Sequence, residues 1–368
     1  MPRTAIIRRS AVVLLAVLAL PACGSAQPGV SPDTTTQGAV SQDAVRGNLV
    51  GVGNDSMAGL VSSWREAWKN TNPAVSIAFS PDGGETGVKA LAAGQAHFAT
   101  TTRPAGASTF QSNGEVCGVT GRMALPAAIL PVGIAYNLRE IRGLKLDAVV
   151  LSKVFLGSIT KWNDPEIGRL NPDINLPDID IVPILSSDES DVTEAATRYL
   201  DAESKGTWPA GISSRWPDQA KGQNKSKSSD LTGKLGDTYG GLAVLDRGII
   251  GSRFSTAILK FGQTFQPFSP DSVLAAIESG STVQPETGIL EQQLNGDAGY
   301  ALAVKEYVVL CDNYRQEETA KLVRSWGRAI LSDVGQRNAN IFASALPPSR
   351  ETTKQALLLV NTIAGTEK

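Results

Sequence analysis

Strand-like and helix-like segments alternate along residues 47–368, and this alternation predicts an α/β fold. Its signs are short apolar runs of period two, apolar residues at helical spacing, and polar Gly/Ser/Asp loops joining strand to helix at three places. Each junction presents free backbone N–H groups at the positive end of a helix, a ready place for an anion, although such junctions occur in every α/β protein.

Leu49 and Val50 begin the first strand, which ends in the turn Gly51-Val52-Gly53-Asn54-Asp55-Ser56. Met57, Leu60, Val61, Trp64 and Trp68 then recur at i, i+3, i+4, i+7 and i+11, the apolar face of an amphipathic helix. Asn54, Asp55 and Ser56 are each suited to cap its start. Val75, Ile77 and Phe79 alternate as a second strand, and Gly83-Gly84-Glu85-Thr86-Gly87 leads into a helix near Val88 to Ala93. Further on, Ile179, Ile181 and Ile184 predict a strand. Ser186-Ser187-Asp188-Glu189-Ser190 follows, before a helix through Ala195, Ala196, Tyr199 and Leu200.

The N-terminus reads as a targeting segment. Arg3, Arg8 and Arg9 form a positive region ahead of the apolar run Ala11 to Leu20, which is too short to span a bilayer. It ends in Leu20-Pro21-Ala22-Cys23, which resembles the lipobox of bacterial lipoproteins and makes residues 1–22 a lipoprotein signal peptide. The alternative is cleavage near Ala22 with Cys23 incidental. Lipidation of Cys23 with two acyl chains implies stable attachment to the outer face of the cell membrane. The arginine pair leaves the export route, Sec or twin-arginine, open. Residues 23–46 are polar and rich in Pro, Ser, Thr and Gln without periodicity, a disordered tether.

With 34 Lys+Arg against 36 Asp+Glu, the formal net charge is -2, and no long basic run is present. Nucleic acid and an anionic membrane surface are therefore not expected partners. A single histidine, His97, removes most zinc sites and His-based triads. There is no Walker A sequence and no G-x-S-x-G elbow, so no enzyme, cofactor or metal site is expected. Beyond Cys23, only Cys117 and Cys311 remain. In an exported chain an even pair reads as one disulfide, with two buried free thiols as the alternative.

The stretch from Phe155 through Lys161-Trp162-Asn163-Asp164-Pro165 to Asn171-Pro172, then Leu176-Pro177, resembles the signature of the phosphate-binding, PstS-type component of ABC phosphate importers. Gly133 to Leu138 resembles that family's crossing strand, and Lys221-Gly222-Gln223-Asn224 its Lys-Gly-Asn loop. Leu310-Cys311, Trp326 and Pro347-Pro348 resemble its C-terminal return. The similarity spans roughly residues 47–365. It implies a two-lobed periplasmic-binding-protein (type II) fold with a hinge between lobes. Lobe one would hold 47–133 plus 300–368, and lobe two 134–299. Cys117 and Cys311 stand where actinobacterial members often carry a cysteine pair, which would join the two chain halves of lobe one.

The family holds phosphate with hydroxyls, backbone amides, one arginine and one aspartate, and the matching positions here depart from that set. The first loop offers Asp55 and Ser56 in place of a threonine, and the second offers Gly84, beside Glu85, in place of a serine. The third has Thr101-Thr102 where Ser-Asp is usual. In the fourth, Ser186, Asp191 and Val192 stand in place of arginine, glycine and threonine, while Asp188 and Ser190 match. Losing the arginine and gaining Asp55 and Asp191 make the site three charges more negative, and losing the aspartate restores one, a net shift of -2. Arg103, beside Thr102, either supplies a positive charge to the site or is a surface residue ahead of Pro104. The ligand-binding candidates are thus Asp55, Ser56, Gly84, Thr102, Arg103, Ser186, Asp188, Ser190 and Asp191. The functions expected are a cell-surface receptor that binds phosphate weakly or a different small solute and serves an ABC permease, or a sensor or assembly lipoprotein that no longer binds a ligand.

Overall fold

The computed structural model describes residues 45–104, 110, 112–118, 121–222 and 227–367. The expected signal peptide, the lipidation site Cys23, most of the tether, and Gln223 and Asn224 of the Lys221 loop lie outside the described residues.

The first half opens on β1 (Gly47–Val52), α1 (Met57–Thr71), β2 (Val75–Ser80), α2 (Gly84–Ala92) and β3 (Phe98–Thr101). β1 pairs in parallel with both β2 and β3, so the loops leaving all three strands emerge along one edge of the sheet. Ligands in α/β folds bind at such carboxyl edges. α1 buries Met57, Leu60, Val61, Trp64 and Trp68, the face its spacing predicts. α2 starts at Gly84, ahead of the Val88 start that the sequence suggests. Glycine is a weak helix former, but Gly87 lies so close to β1 that a Cβ there would sit 2.2 Å from the Val52 carbonyl oxygen. Close packing on the strand, rather than propensity, sets this helix start.

The strand β4 (Arg122–Tyr136) ties the molecule together. Its residues from Arg122 to Pro131 pair antiparallel with the strand Ala303–Cys311, and those from Val132 to Tyr136 pair antiparallel with Gly241–Asp246. Gly241–Asp246 pairs in parallel with Val182–Ile184. That last strand begins later than Ile179. Ile179 donates its N–H to the Pro177 carbonyl, and Asp180 makes only an isolated bridge with Lys161.

Two hydrophobic cores flank the middle of β4. The first joins residues from 49–128 with others from 289–363, around Trp64, Trp68, Phe98 and Trp326. Ring centroids of Trp68 and Trp326 are 5.4 Å apart, and those of Phe98 and Trp326 are 5.7 Å apart. The second joins residues from 129–304 with Leu346, around Phe155, Trp162, Trp216 and Tyr300. Ile289 and Leu290 belong to the first core, because their strand Ile289–Gln292 pairs with β4 at Ala124. The signature segment is a packing device: Trp162 is fully buried and donates its Nε1–H to the Gly240 carbonyl at 3.0 Å.

Cys117 and Cys311 are bonded to each other, with Cα atoms 5.5 Å apart across 194 positions, inside the first core. His97 is structural. Its Nδ1 accepts the Val50 N–H at 2.9 Å, and burial lowers its pKa, favouring the neutral ring that such acceptance needs. Among the described residues no helix is long and apolar enough to cross a membrane.

Candidate functional site

Four chain segments meet between the two cores: the loop after β1, the start of α2, the end of β3, and the N-terminus of the helix Asp191–Glu203. They enclose a cavity of about 510 Å³, with a floor of apolar residues from the second half that includes Ile184, Val244 and Leu245.

Asn54 organises the β1 loop. It is 6% exposed; its Oδ1 accepts from Thr100 Oγ1 at 3.0 Å, and its Nδ2 donates to Glu306 Oε2 at 2.9 Å. Glu306 lies in the strand Ala303–Cys311, fully buried, with Oε1 lacking a hydrogen-bond partner. Burial pushes its carboxyl up to about 8, with the Asn54 and Ser56 hydrogen bonds opposing the shift and Asp191 adding to it. Near neutral pH, therefore, Glu306 is mostly uncharged.

Asp191 is the first residue of its helix, capped by Ser190, whose Oγ accepts the Thr193 N–H at 3.0 Å. The Asp191 carboxylate points across the cavity. Oδ1 accepts from Thr102 Oγ1 at 2.9 Å, and Oδ2 accepts from Ser56 Oγ at 3.3 Å and Asn54 Nδ2 at 3.4 Å. Donors on two loops of the first half, the β1 loop and the end of β3, thus converge on a carboxylate of the second. Arg103 makes the other bridge: its guanidinium binds the Glu194 carboxylate, with Nε 3.0 Å from Oε2. That hydrogen bond, opposed by burial, raises the arginine's pKa. Glu194 also accepts from Arg198 Nη2, one turn along the same helix, at 2.8 Å.

Of the residues singled out from the sequence, Asp55, Ser56, Gly84, Arg103, Ser186, Ser190 and Asp191 line the cavity. Thr102 reaches the site through its bond to Asp191. Asp188 turns away and accepts the Ser228 N–H at 3.0 Å, and Ser186 Oγ accepts the Asp188 N–H at 3.1 Å. Glu85, beside Gly84, pairs with Lys89 within its own helix. Three residues escaped the sequence reading as parts of the site: Asn54 as a hub, Glu194, and Glu306. Glu306 had a visible signal, a carboxylate inside the apolar run Val304 to Leu310. Glu194 had a weaker one, its place one turn after Asp191.

The sequence profile of the PBP superfamily domain matches residues 38–334. The chain belongs to this superfamily. Among curated proteins it is similar to the phosphate-binding protein PstS2 of Mycobacterium bovis, with 27% identity over 94% of this chain and 96% of that protein. Phosphate-binding protein PstS 3 of Mycobacterium leprae is 26% identical over 91% of this chain and 90% of that protein. Among solved structures, a DING protein superposes with a TM-score of 0.61 at 13% identity, covering 83% of this chain and 93% of that one. A putative phosphate ABC transporter substrate-binding protein from Clostridium perfringens, with bound phosphate, gives 0.54 at 15% identity over 82% and 99%. At these identities the superpositions speak for the fold. The α/β fold class read from the sequence holds, and the similarity to proteins named PstS agrees with the resemblance of the signature segment.

Proposed function

We propose that this protein is an exported, lipid-anchored solute receptor of the phosphate-importer lineage, whose interlobe cleft binds phosphate weakly at most and serves a different small solute. The two cores are its lobes, β4 and Ala303–Cys311 its crossing strands, Cys23 its anchor and an ABC permease its partner. Relatives named as phosphate-binding proteins support the lineage. The Leu20 to Cys23 segment supports the anchor.

The observation behind the doubt about phosphate is the Asp191 carboxylate. It takes up the Thr102 and Ser56 hydroxyls that an oxyanion would need, and it leaves a negative charge among them. Two like charges about 4 Å apart repel by about 4 kcal/mol at an effective dielectric of about 20. Arg103, the one arginine on the cavity wall among the described residues, is paired with Glu194.

Calorimetric titration with phosphate, sulfate and a panel of polar solutes tests this reading. Phosphate should bind at millimolar strength or not at all. The double variant Ser186→Arg, Asp191→Gly should gain at least tenfold in phosphate affinity, since it adds one positive charge and removes one negative. Sub-micromolar phosphate binding by the unaltered protein would overturn the reading.

A further inference from the structure

The cavity is much larger than an oxyanion needs. At about 30 Å³ per water-sized group, a five-atom oxyanion fills on the order of 100 Å³, against about 510 Å³ here. That volume falls in the range of clefts that enclose organic molecules. The lining is divided by chemistry. Asp55, Asp191, Glu189 and Asp246 contribute carboxylates, and Arg103 is the one basic side chain among the described lining residues. Glu189 is matched by Arg215 outside the cavity at 2.7 Å, and Arg103 is matched by Glu194. Asp246 accepts the Ile249 N–H at 3.0 Å as a helix cap. Asp55 and Asp191 make no close ion pair among the described residues; Asp191 accepts from hydroxyl and amide donors, and Arg103, paired with Glu194, acts on it only at longer range.

The rest of the lining includes the apolar side chains of Ile184, Trp216, Leu231, Val244 and Leu245. Trp216 is held in position by Phe155, 4.7 Å away between ring centroids, and by the edge of Trp208 at 6.3 Å. Trp216 is 5% exposed, so what it gives the cavity is a fixed apolar edge whose contact costs no further side-chain freedom.

We infer that the cleft binds a small organic cation, an amine, guanidine or quaternary ammonium group on an apolar body, with Asp191 and Asp55 balancing its charge and the Trp216, Val244 and Leu245 surface taking its body. This rests on the reading of the chain as a solute receptor. The cation replaces the repulsion felt by an oxyanion with attraction to the same two carboxylates, and it leaves the Thr102 and Ser56 hydroxyls donating to Asp191 as they do now.

The test is calorimetry on the full protein with benzylamine, phenylethyltrimethylammonium, agmatine and hexylamine, beside benzyl alcohol, hexanol and inorganic phosphate. At least one cation should bind with one-to-one stoichiometry, at least tenfold more tightly than its neutral counterpart. Asp191→Asn should weaken the cation at least tenfold and leave the neutral compound unchanged. Asp55→Asn, at an exposed position, reads the same charge should Asp191→Asn fold poorly. Preference for a neutral compound or for phosphate, with the cations silent, overturns the cation assignment and leaves the receptor standing. Silence of every probe overturns both.

Discussion

The N-termini of α1 and of the helix Asp191–Glu203 face each other across the cavity, and they are built alike from strand, polar loop and helix. Their electrostatics are opposite. α1 has no acidic residue in its first turn, and its N-cap Ser56 makes no side-chain capping bond. The Asp191 helix carries both Asp191 and Glu194 in its first turn and is capped by Ser190. The second helix thus answers its own positive end, whereas the first has its end answered by a carboxylate from the other half. One helix start thus carries its own carboxylates, and the side chains at the other are engaged by one of them, Asp191.

The two walls also differ in what stands behind them, and this gives the largest expected effect. The α1 wall belongs to the half joined by Cys117–Cys311, while the described part of the second core has no such link. Cys117→Ser with Cys311→Ser should cost about 2–5 kcal/mol of stability. Chemical denaturation of the variant checks it, and an effect below this range would show that α1 is held by packing alone.

Glu306, buried behind Asn54 on the α1 side, comes next. Its folded pKa is raised from 4.5 to about 8, so between those values the native state keeps a proton that the unfolded chain has released. Its contribution to stability is therefore full below about pH 4.5, falls as pH rises through about 8, and is level above that. Glu306→Gln should flatten that part of the melting-temperature profile and raise stability at about pH 9 relative to the parent. An unchanged slope would mean that Glu306 does not carry the raised pKa.

The caps give the smallest and sharpest test. Ser190→Ala removes the acceptor for the Thr193 N–H and should cost about 1 kcal/mol. Ser56→Ala removes no cap bond but takes a donor from Asp191. Its cost should therefore fall by about 0.5–1.5 kcal/mol when Asp191→Asn is already present, whereas the cost of Ser190→Ala should not change. Equal costs in both backgrounds, measured by urea unfolding, would erase the contrast between the two helix ends.

Much of the frame was legible because it depends on local periodicity. The spacing of Met57, Leu60, Val61, Trp64 and Trp68 predicts the buried face of α1, and Ala195 to Leu200 the body of the helix opposite. Less legible were element starts dictated by close packing, such as that of α2, where the proximity of Gly87 to Val52 outweighs propensity. For the site, the sequence identified acidic substitutions at Asp55 and Asp191 but could not say where they point. Asp188 matched the family's pattern and yet turns outward to Ser228, while Asn54 looked like one of three equivalent caps and proved to be the hub.

The sequence by itself determined the α/β class, the family, the even pair of cysteines and the acidic shift of the binding loops, because each follows from neighbouring residues or from local spacing. Only the tertiary structure decided that Asp191 reaches Thr102 and Ser56, that Arg103 pairs with Glu194, and that Glu306 is buried next to Asn54. These contacts join positions 89 to 252 residues apart. Charge sign is a property of composition, but charge partnership depends on where the folded chain places each group, and on how much water is left around it.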